Sequence, residues 1–532
     1  MATRPPGAGR DPTPSALTSE WQPGANPWLI AISVMLATFM EVLDTSVANV
    51  SLPHIGGSFA ATPEEATWVL TSYLISNAVI LPTTAWLAGT FGRKRVLIVC
   101  IVIFTAASAV CGAATSLGML IVARIVQGVG GGALQPIAQA VLLESFPPAR
   151  RGQAMAFFAM GIIVAPILGP TLGGFITDEY SWRWVFYINL PVGAVAVLMA
   201  QAFVEDPPYI ARAGGGVDYI GFALLAVGLG TLQLVLDKGQ EDDWFAALWI
   251  RWFVAVSVVA FVLFVVRELL VEHPIVDLRV FRNRNFAVGT LMITILGMVL
   301  YGTTAMLPLF LQTLLGYTAV DAGLAVSPRG LGALVSSITV GRLVGLLDPR
   351  LLMMTGFGIM AASGFLFSRM SLDVAMSNVV WTNILNGSAN PLVFVPLSTT
   401  TMSTLRNHQI GNAVGIYNLM RNIGASIGIA AMTTLLARGA QHHQAILVAH
   451  ATPYEPAYRA WLDQATAALS GSLGPVAAAP AALGLLYRAL LEQATLLAYL
   501  DNFRWISLLA ILCCPLVLLF RKGRARSAGP AH

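Results

Sequence analysis

The chain has 532 residues, of which 56% are hydrophobic and 11% charged, with a formal charge of +4 and a mean hydropathy of +0.74. A soluble domain carries about 25% charged residues, so this composition excludes a soluble globular protein and points to a polytopic membrane protein. The four cysteines, Cys100, Cys111, Cys513 and Cys514, all fall in apolar runs, which supports neither a disulfide framework nor a zinc knuckle and suits helix packing.

Residues 1–26 are rich in Pro, Gly and polar side chains. They read as a flexible tail with no cleavable signal peptide. Apolar runs long enough to span a bilayer, about 20 residues each, then follow at 28–50, 66–88, 95–114, 117–143, 153–176 and 183–204. Two more lie at 217–237 and 248–268, and six at 286–312, 321–346, 351–370, 377–403, 411–436 and 503–521. The expected fold class is therefore an all-α polytopic membrane protein with 14 transmembrane helices.

The first run contains FMEVLDTSVANVSLP, residues 39–53, with Glu41 and Asp44 in its middle. Acids three apart on a helix point to one side. Placing one in hydrocarbon costs roughly 2.5–3.5 kcal/mol on insertion scales, so such residues mark pathways. Removal from water and a like-charged neighbour both favour the protonated form, and a pair of this kind can hold and release a proton. The alternative is that one or both acids face a water-filled vestibule or pair structurally with an arginine.

In the fourth run, LIVARIVQGVGGG places Arg124 in mid-membrane. Asp44 is its natural electrostatic partner; a structural arginine satisfying backbone carbonyls is the alternative. The glycines at 128 and 130–132 lie inside a membrane helix, which fits close helix packing and not a dinucleotide loop. In the fifth run, GIIVAPILGPTLGG contributes Gly161, Pro166, Gly169, Pro170, Gly173 and Gly174. Prolines loosen a helix and glycines remove bulk, so this segment either kinks at a central interface or is ordinary small-residue packing. The turn WLAGTFGRKR carries Gly92, Arg93, Lys94 and Arg95, whose charges topology alone explains. Arg329 in SPRG and Arg421 in NLMRN lie within or near spans and can meet an anionic substrate or a buried acid. Together with Asn49, Gln127 and Tyr301 they form the candidate lining of a substrate cavity.

Loop charges set the orientation. Arg93–Arg95, Arg150, Arg151, Arg212, Arg279, Arg282, Arg284, Arg350, Arg406, Arg521, Lys522, Arg524 and Arg526 fall on one side, and the loops with Glu64, Glu65, Asp178, Glu179, Lys238 and Glu241–Asp243 on the other. The Lys/Arg excess marks the first side, with both termini, as cytoplasmic.

An internal repeat is also visible. Leu52-Pro53 recurs as Leu307-Pro308 (308 − 53 = 255), and Gly169 and Gly173 recur as Gly424 and Gly428 at the same offset. Ala85–Arg95 is echoed by Gly341–Arg350, and Arg151-Gly152 more loosely at Gly411. The layout is six plus two plus six: an N-terminal bundle at 27–205, two inserted helices within 206–284, a C-terminal bundle at 285–521, and a tail at 522–532. Two six-helix halves around a cavity is a transporter plan.

Residues 437–502 read as a long extracytoplasmic loop in which 454–469 and 481–500 suit short amphipathic helices. That loop is a docking surface, a lid or a plain connection. His442, His443 and His450 lie in it without ligand spacing for a metal. No Walker A sequence is present, and Asp44-Thr45-Ser46 has no second copy in a soluble lobe to make an aspartic-protease pair.

Taken together, LDTSVANVSLP, RIVQG and APILGPTLGG resemble the first-, fourth- and fifth-helix motifs of the major facilitator superfamily. Within it the chain resembles the fourteen-helix drug:proton antiporters from Pro27 to Phe520. Asp243-Trp244-Phe245 and the segment 437–502 are similar to the EmrB branch and less so to the QacA type. The resemblance implies proton-driven export of lipophilic compounds from a bacterial inner membrane, with no cofactor. It places proton coupling on Asp44, with Arg124 tuning it. Its implied partners are a periplasmic membrane-fusion adaptor (EmrA-like) and an outer-membrane channel, with no nucleic acid. Two departures stand out: Gly89 replaces the Asp that often follows Leu-Ala in the basic turn, and Glu41 stands where relatives carry a neutral residue. Rival readings are a proton-coupled or facilitative importer of a small nutrient, and a membrane-embedded enzyme using Glu41 and Asp44.

Overall fold

The computed structural model describes residues 23–147, 150–207, 218–271 and 274–521. The expectations for residues 1–22, Arg212, Lys522, Arg524 and Arg526 lie outside the described residues. Regular structure among the described residues is entirely helical.

Among the described residues, thirteen helices are long and apolar enough to cross a membrane. They are α1 (Pro27–Ser58), α2 (Glu65–Phe91), α3 (Arg93–Gly112), α4 (Leu117–Ser145), α5 (Arg151–Glu179), α6 (Trp184–Phe203), α7 (Tyr219–Lys238), α8 (Leu248–Leu270), α9 (Arg284–Thr313), α10 (Asp321–Leu343), α11 (Pro349–Phe367), α13 (Gln409–His450) and α14 (Val476–Val517). Between α11 and α13 lies α12 (Met376–Met402), 27 residues with Pro391 and Pro396 inside. Its buried Asn383, Asn386 and Asn390 lower its apolarity, but its length suffices to span a bilayer. The chain is a multi-pass membrane protein of the expected class.

Local chemistry marks the helix starts. Asn26 caps α1 ahead of Pro27. Thr62 and Glu65 form a capping box before α2, satisfying amides that have no partner inside the helix. Gly92, at φ +88°, makes the abrupt turn between α2 and α3, a conformation that favours glycine. Several helices are interrupted: α2 by the 3-10 turn Leu81–Thr83, α4 between Leu117–Gly131 and Leu134–Ser145, and α10 between Ala319–Val326 and Arg329–Leu343.

The repeat offsets have a packing counterpart. Helix α1 packs along α5, and α9 along α13. A Cβ on Gly169 or Gly173 would meet Ser46 or Val47 of α1, and one on Gly424 or Gly428 would meet Thr294 or Met298 of α9. Removing side chains at those positions lets each helix pair approach closely.

Where α2 and α4 meet α13, contacts between the two sets of helices gather at the end bearing the basic turns. The inner segments Leu81–Thr83, Thr84–Phe91 and Leu134–Ser145 pack on α13, without comparable packing from the opposite ends of α2 and α4. Near the same end Gly152 abuts Val344 and Gly341 abuts Ala156, and Phe158 stacks on Phe394 at 6.3 Å. The halves are thus closed at the basic end. Helix α7 stands beside the seam: Thr71 of α2 donates to its Asp237, and Ser426 of α13 donates to its Gln233.

One expectation is corrected. Of the two short helices expected in a loop at 437–502, that at 454–469 is present as Pro456–Leu473, but the rest is not loop. Helix α13 continues unbroken to His450, and the last helix starts at Pro475, so 481–500 belongs to it; a single helix, Pro456–Leu473, joins the two. The 44 residues from Asn407 to His450 rise about 66 Å at 1.5 Å each, well beyond a bilayer of about 40–45 Å. Leucines and alanines, both strong helix formers, run through 481–500 and carry the helix on. A hydrogen bond between His443 Nε2 and Asp501 Oδ2, 2.8 Å apart, ties the two extensions together.

Candidate functional site

Asp44 and Glu41 sit one helical turn apart on α1, both buried, yet they belong to different surroundings. Asp44 is enclosed within the first set of helices. Arg124 of α4 donates from Nη1 to Asp44 Oδ2 at 2.6 Å. Gln127 Nε2 donates to Oδ1 at 3.0 Å, and Asn189 Nδ2 of α6 donates to the same oxygen at 2.6 Å. Arg124 has no exposed surface. Its Nε donates to the Val69 carbonyl at 3.1 Å, its Nη1 also to Gln127 Oε1 at 2.8 Å, and its guanidinium lies 4.2 Å from the centre of the Tyr73 ring. Such an ion pair is tolerable in a low dielectric only because further hydrogen bonds and a ring face supplement the Coulomb attraction. Close helix approach makes it possible: a Cβ on Gly128, one turn along α4, would stand 2.6 Å from the Tyr73 carbonyl oxygen of α2.

Glu41 faces the seam between the halves. Its Oε1 accepts from Tyr73 at 3.1 Å and Asn77 at 3.2 Å, and its Oε2 from Gln135 Nε2 at 2.7 Å. The other end of the Gln135 amide, Oε1, accepts from Arg421 Nη2 of α13. Four residues further along α4, Gln139 Oε1 accepts from Asn418 Nδ2 at 2.6 Å. Residues 135 and 139 share one helix face, as do 418 and 421. The result is a buried polar ladder between α4 and α13.

The remaining candidates are dispersed. Gln127, expected in a cavity, has no exposed surface and serves instead as a partner of Asp44. Asn49 is exposed on α1. Arg329 is buried and donates to Thr304 at 2.7 Å, with Tyr301 nearby. In α5, a Cβ on Gly161 would meet Met35, while one on Gly174 would meet nothing within 4 Å; Ser46 donates to the Pro166 carbonyl at 3.2 Å. The side chain of Pro170 lies outside the described residues. In the basic turn, Arg93 pairs with Glu144 of α4, Lys94 Nζ donates to the Gln201 carbonyl at 2.6 Å, and Arg95 is exposed. Sequence reasoning missed Asn189, Tyr73, Asn77, Gln135 and Asp237. Only Asp237, an acid inside an apolar run, carried a signal that could have found it.

The Major Facilitator Superfamily model matches residues 34–429. Escherichia coli K12 multidrug export protein EmrB is 38% identical over 83% of this chain and 86% of its own length. Neisseria gonorrhoeae fatty acid resistance protein FarB is 36% identical over 94% of this chain and 97% of its own. The crystal structure of the human organic anion transporter MFSD10 superposes with a TM-score of 0.58 at 14% identity, covering 92% of this chain and all of that one, which speaks to fold alone. A buried Asp–Arg pair between the first and fourth helices, two sets of helices related by a repeat, and these relatives agree: the chain belongs to the major facilitator superfamily, in its EmrB branch.

Proposed function

We propose that the chain is a proton-driven exporter of lipophilic small molecules, working by drug:proton antiport. One observation carries the reading: a buried carboxylate, Asp44, held by Arg124 in the helical set that must move against its counterpart. Relatives named for multidrug export and fatty acid resistance support the direction of transport. On this reading the basic end and both termini are cytoplasmic, and the membrane is a bacterial inner membrane. Residues 27–205 and 285–521 form the two bundles, 206–284 the insertion. No cofactor takes part; the proton gradient supplies the drive.

The cycle follows from charge. With the basic end closed, the proposed cycle begins with access from the opposite side, where Asp44 takes a proton and substrate leaves. Protonation cancels the charge that Arg124 pairs with, while Gln127 and the Val69 carbonyl still accept from its Nη1 and Nε. After the halves rock, Asp44 gives its proton to the cytoplasm and substrate binds. Arg329, Arg421, Tyr301 and Asn49 are the side chains proposed to meet substrate, since an apolar cavity needs a few polar anchors. The projecting α13–α14 hairpin, with Tyr454 and Trp461 exposed, is the proposed seat of a periplasmic adaptor leading to an outer-membrane channel.

The test is transport of a lipophilic dye by inside-out vesicles under an imposed pH gradient, acidic inside. Gradient-driven dye uptake supports export from cells. Uptake of a nutrient by intact cells, with no dye movement in vesicles, supports the importer instead. Chemical conversion of a compound in detergent, without a gradient, supports an enzyme.

A further inference from the structure

The polar ladder at the closed end contains an asymmetry that a structural contact does not need. Glu41 accepts three hydrogen bonds, from Tyr73, Asn77 and Gln135, and donates none. Gln135 stands between a carboxylate and a guanidinium, with its NH2 toward Glu41 and its oxygen toward Arg421 of the other half. An amide has one donor end and one acceptor end, so this orientation suits an ionised Glu41, whose two oxygens both accept. A proton on Oε2 would face the Gln135 NH2. If the amide turned to accept it, its NH2 would face the Arg421 guanidinium, donor against donor. A proton on Oε1 would be given to the Tyr73 hydroxyl, which would turn to accept it and so give up its own bond to Glu41. In either case the negative charge that draws Arg421 toward the first half is gone.

We propose that Glu41, Gln135 and Arg421 form a proton-operated latch that holds the basic end shut while Glu41 is ionised and releases it when Glu41 is protonated. The proposal rests on the export reading above and assigns Glu41 a proton distinct from that of Asp44. The groups facing Glu41 account for its environment: Tyr73 and Asn77 from α2, Gln135 from α4 and Arg421 from α13. Beyond Tyr73 lie Asp44 of α1 itself and Arg124 of α4, and α6 contributes the neutral Asn189 to that neighbouring cluster. Between Arg151 at its start and Asp178 near its end, α5 carries no titratable side chain.

The latch fits the other contacts at the seam. The second rung leaves Gln139 Nε2 and Asn418 Oδ1 buried without partners, as is Nε of Arg421. Buried polar atoms left unpaired are costly, so this interface gains water-mediated bonds when it opens. The charged rung therefore adds to the apolar contacts that hold this end closed. A proton arriving while the opposite end is open would be the signal to swing.

The test uses the full chain in lipid nanodiscs, with its four cysteines replaced and spin labels introduced at Phe91 in the first half and Ser403 in the second, both exposed at the basic end. The distance between labels is measured from pH 5 to pH 8. The unmodified latch should give the short distance at high pH and a shift to longer distances at low pH. Glu41→Gln should give the long distance at every pH, and Glu41→Asp should restore the pH response. Asp44→Asn should lose gradient-driven transport but keep the pH-dependent distance, which separates failure of the latch from failure of the export reading. A Glu41→Gln chain that remains short at high pH with an unchanged acid response overturns the proposal. So does a Gln135→Leu chain that binds substrate and follows the original pH curve.

Discussion

Replacing Arg124 by glutamine tests whether the Asp44 pair is a buried ion pair and not a solvated one. Arg124 is fully enclosed, and its closest contact is the 2.6 Å bond to Asp44. Glutamine would leave the Asp44 carboxylate with two neutral donors, Gln127 at 3.0 Å and Asn189 at 2.6 Å. Removing one partner of a buried pair costs about 3–5 kcal/mol, and the two surviving donors place the expected loss toward the lower end. Asp44→Asn strands the cation instead, with the Val69 carbonyl, Gln127 and the Tyr73 ring still around it. The double variant removes both charges, so its loss should fall short of the sum by about 1–3 kcal/mol, as for residues in direct contact. Denaturant unfolding in mild detergent, for the four members of the cycle, measures this. An Arg124→Gln loss below about 1 kcal/mol, the level of an exposed pair, together with additive energies, would refute the reasoning.

Three further outcomes are expected. Gly173→Leu should impair folding yield and transport, because a Cβ there already lies 3.1 Å from the Val47 backbone, whereas Gly174→Leu should be tolerated, having nothing within 4 Å; size-exclusion profiles and dye efflux distinguish them. Asp218, which caps the start of α7, is held below the ordinary carboxylate range chiefly by its hydrogen bond from Arg267 and further by the Gly221 amide, with burial opposing. A depressed carboxyl stabilises above its unfolded value and loses that contribution as pH falls through its folded value. Asp218→Asn should therefore lower thermal stability at neutral pH and flatten the decline below about pH 4.

Much of the architecture was legible because the bilayer imposes it. Apolar runs of fixed length, basic loops on one side and a shared offset near 255 all write membrane topology into the chain. Asp44 and Arg124 were legible as partners because lone charges in hydrocarbon must find each other. Three things were not. Gln135 looks like any polar residue beside a proline, and only the crossing of α4 with α13 turns it into a bridge between Glu41 and Arg421. Gln127 looks like a cavity residue until helix rotation points it at Asp44. The extensions of α13 and α14 are not legible as such because the mixed polar and apolar pattern of 437–502 does not show that each continues an adjoining membrane helix.

The central claim, that Asp44 exchanges a proton for substrate, is tested most directly by proton release from detergent-solubilised protein. Adding a lipophilic substrate to lightly buffered protein, over a series of starting pH values, should acidify the solution, and Asp44→Asn should bind the substrate without that release. Equal proton release from the two proteins would contradict the account.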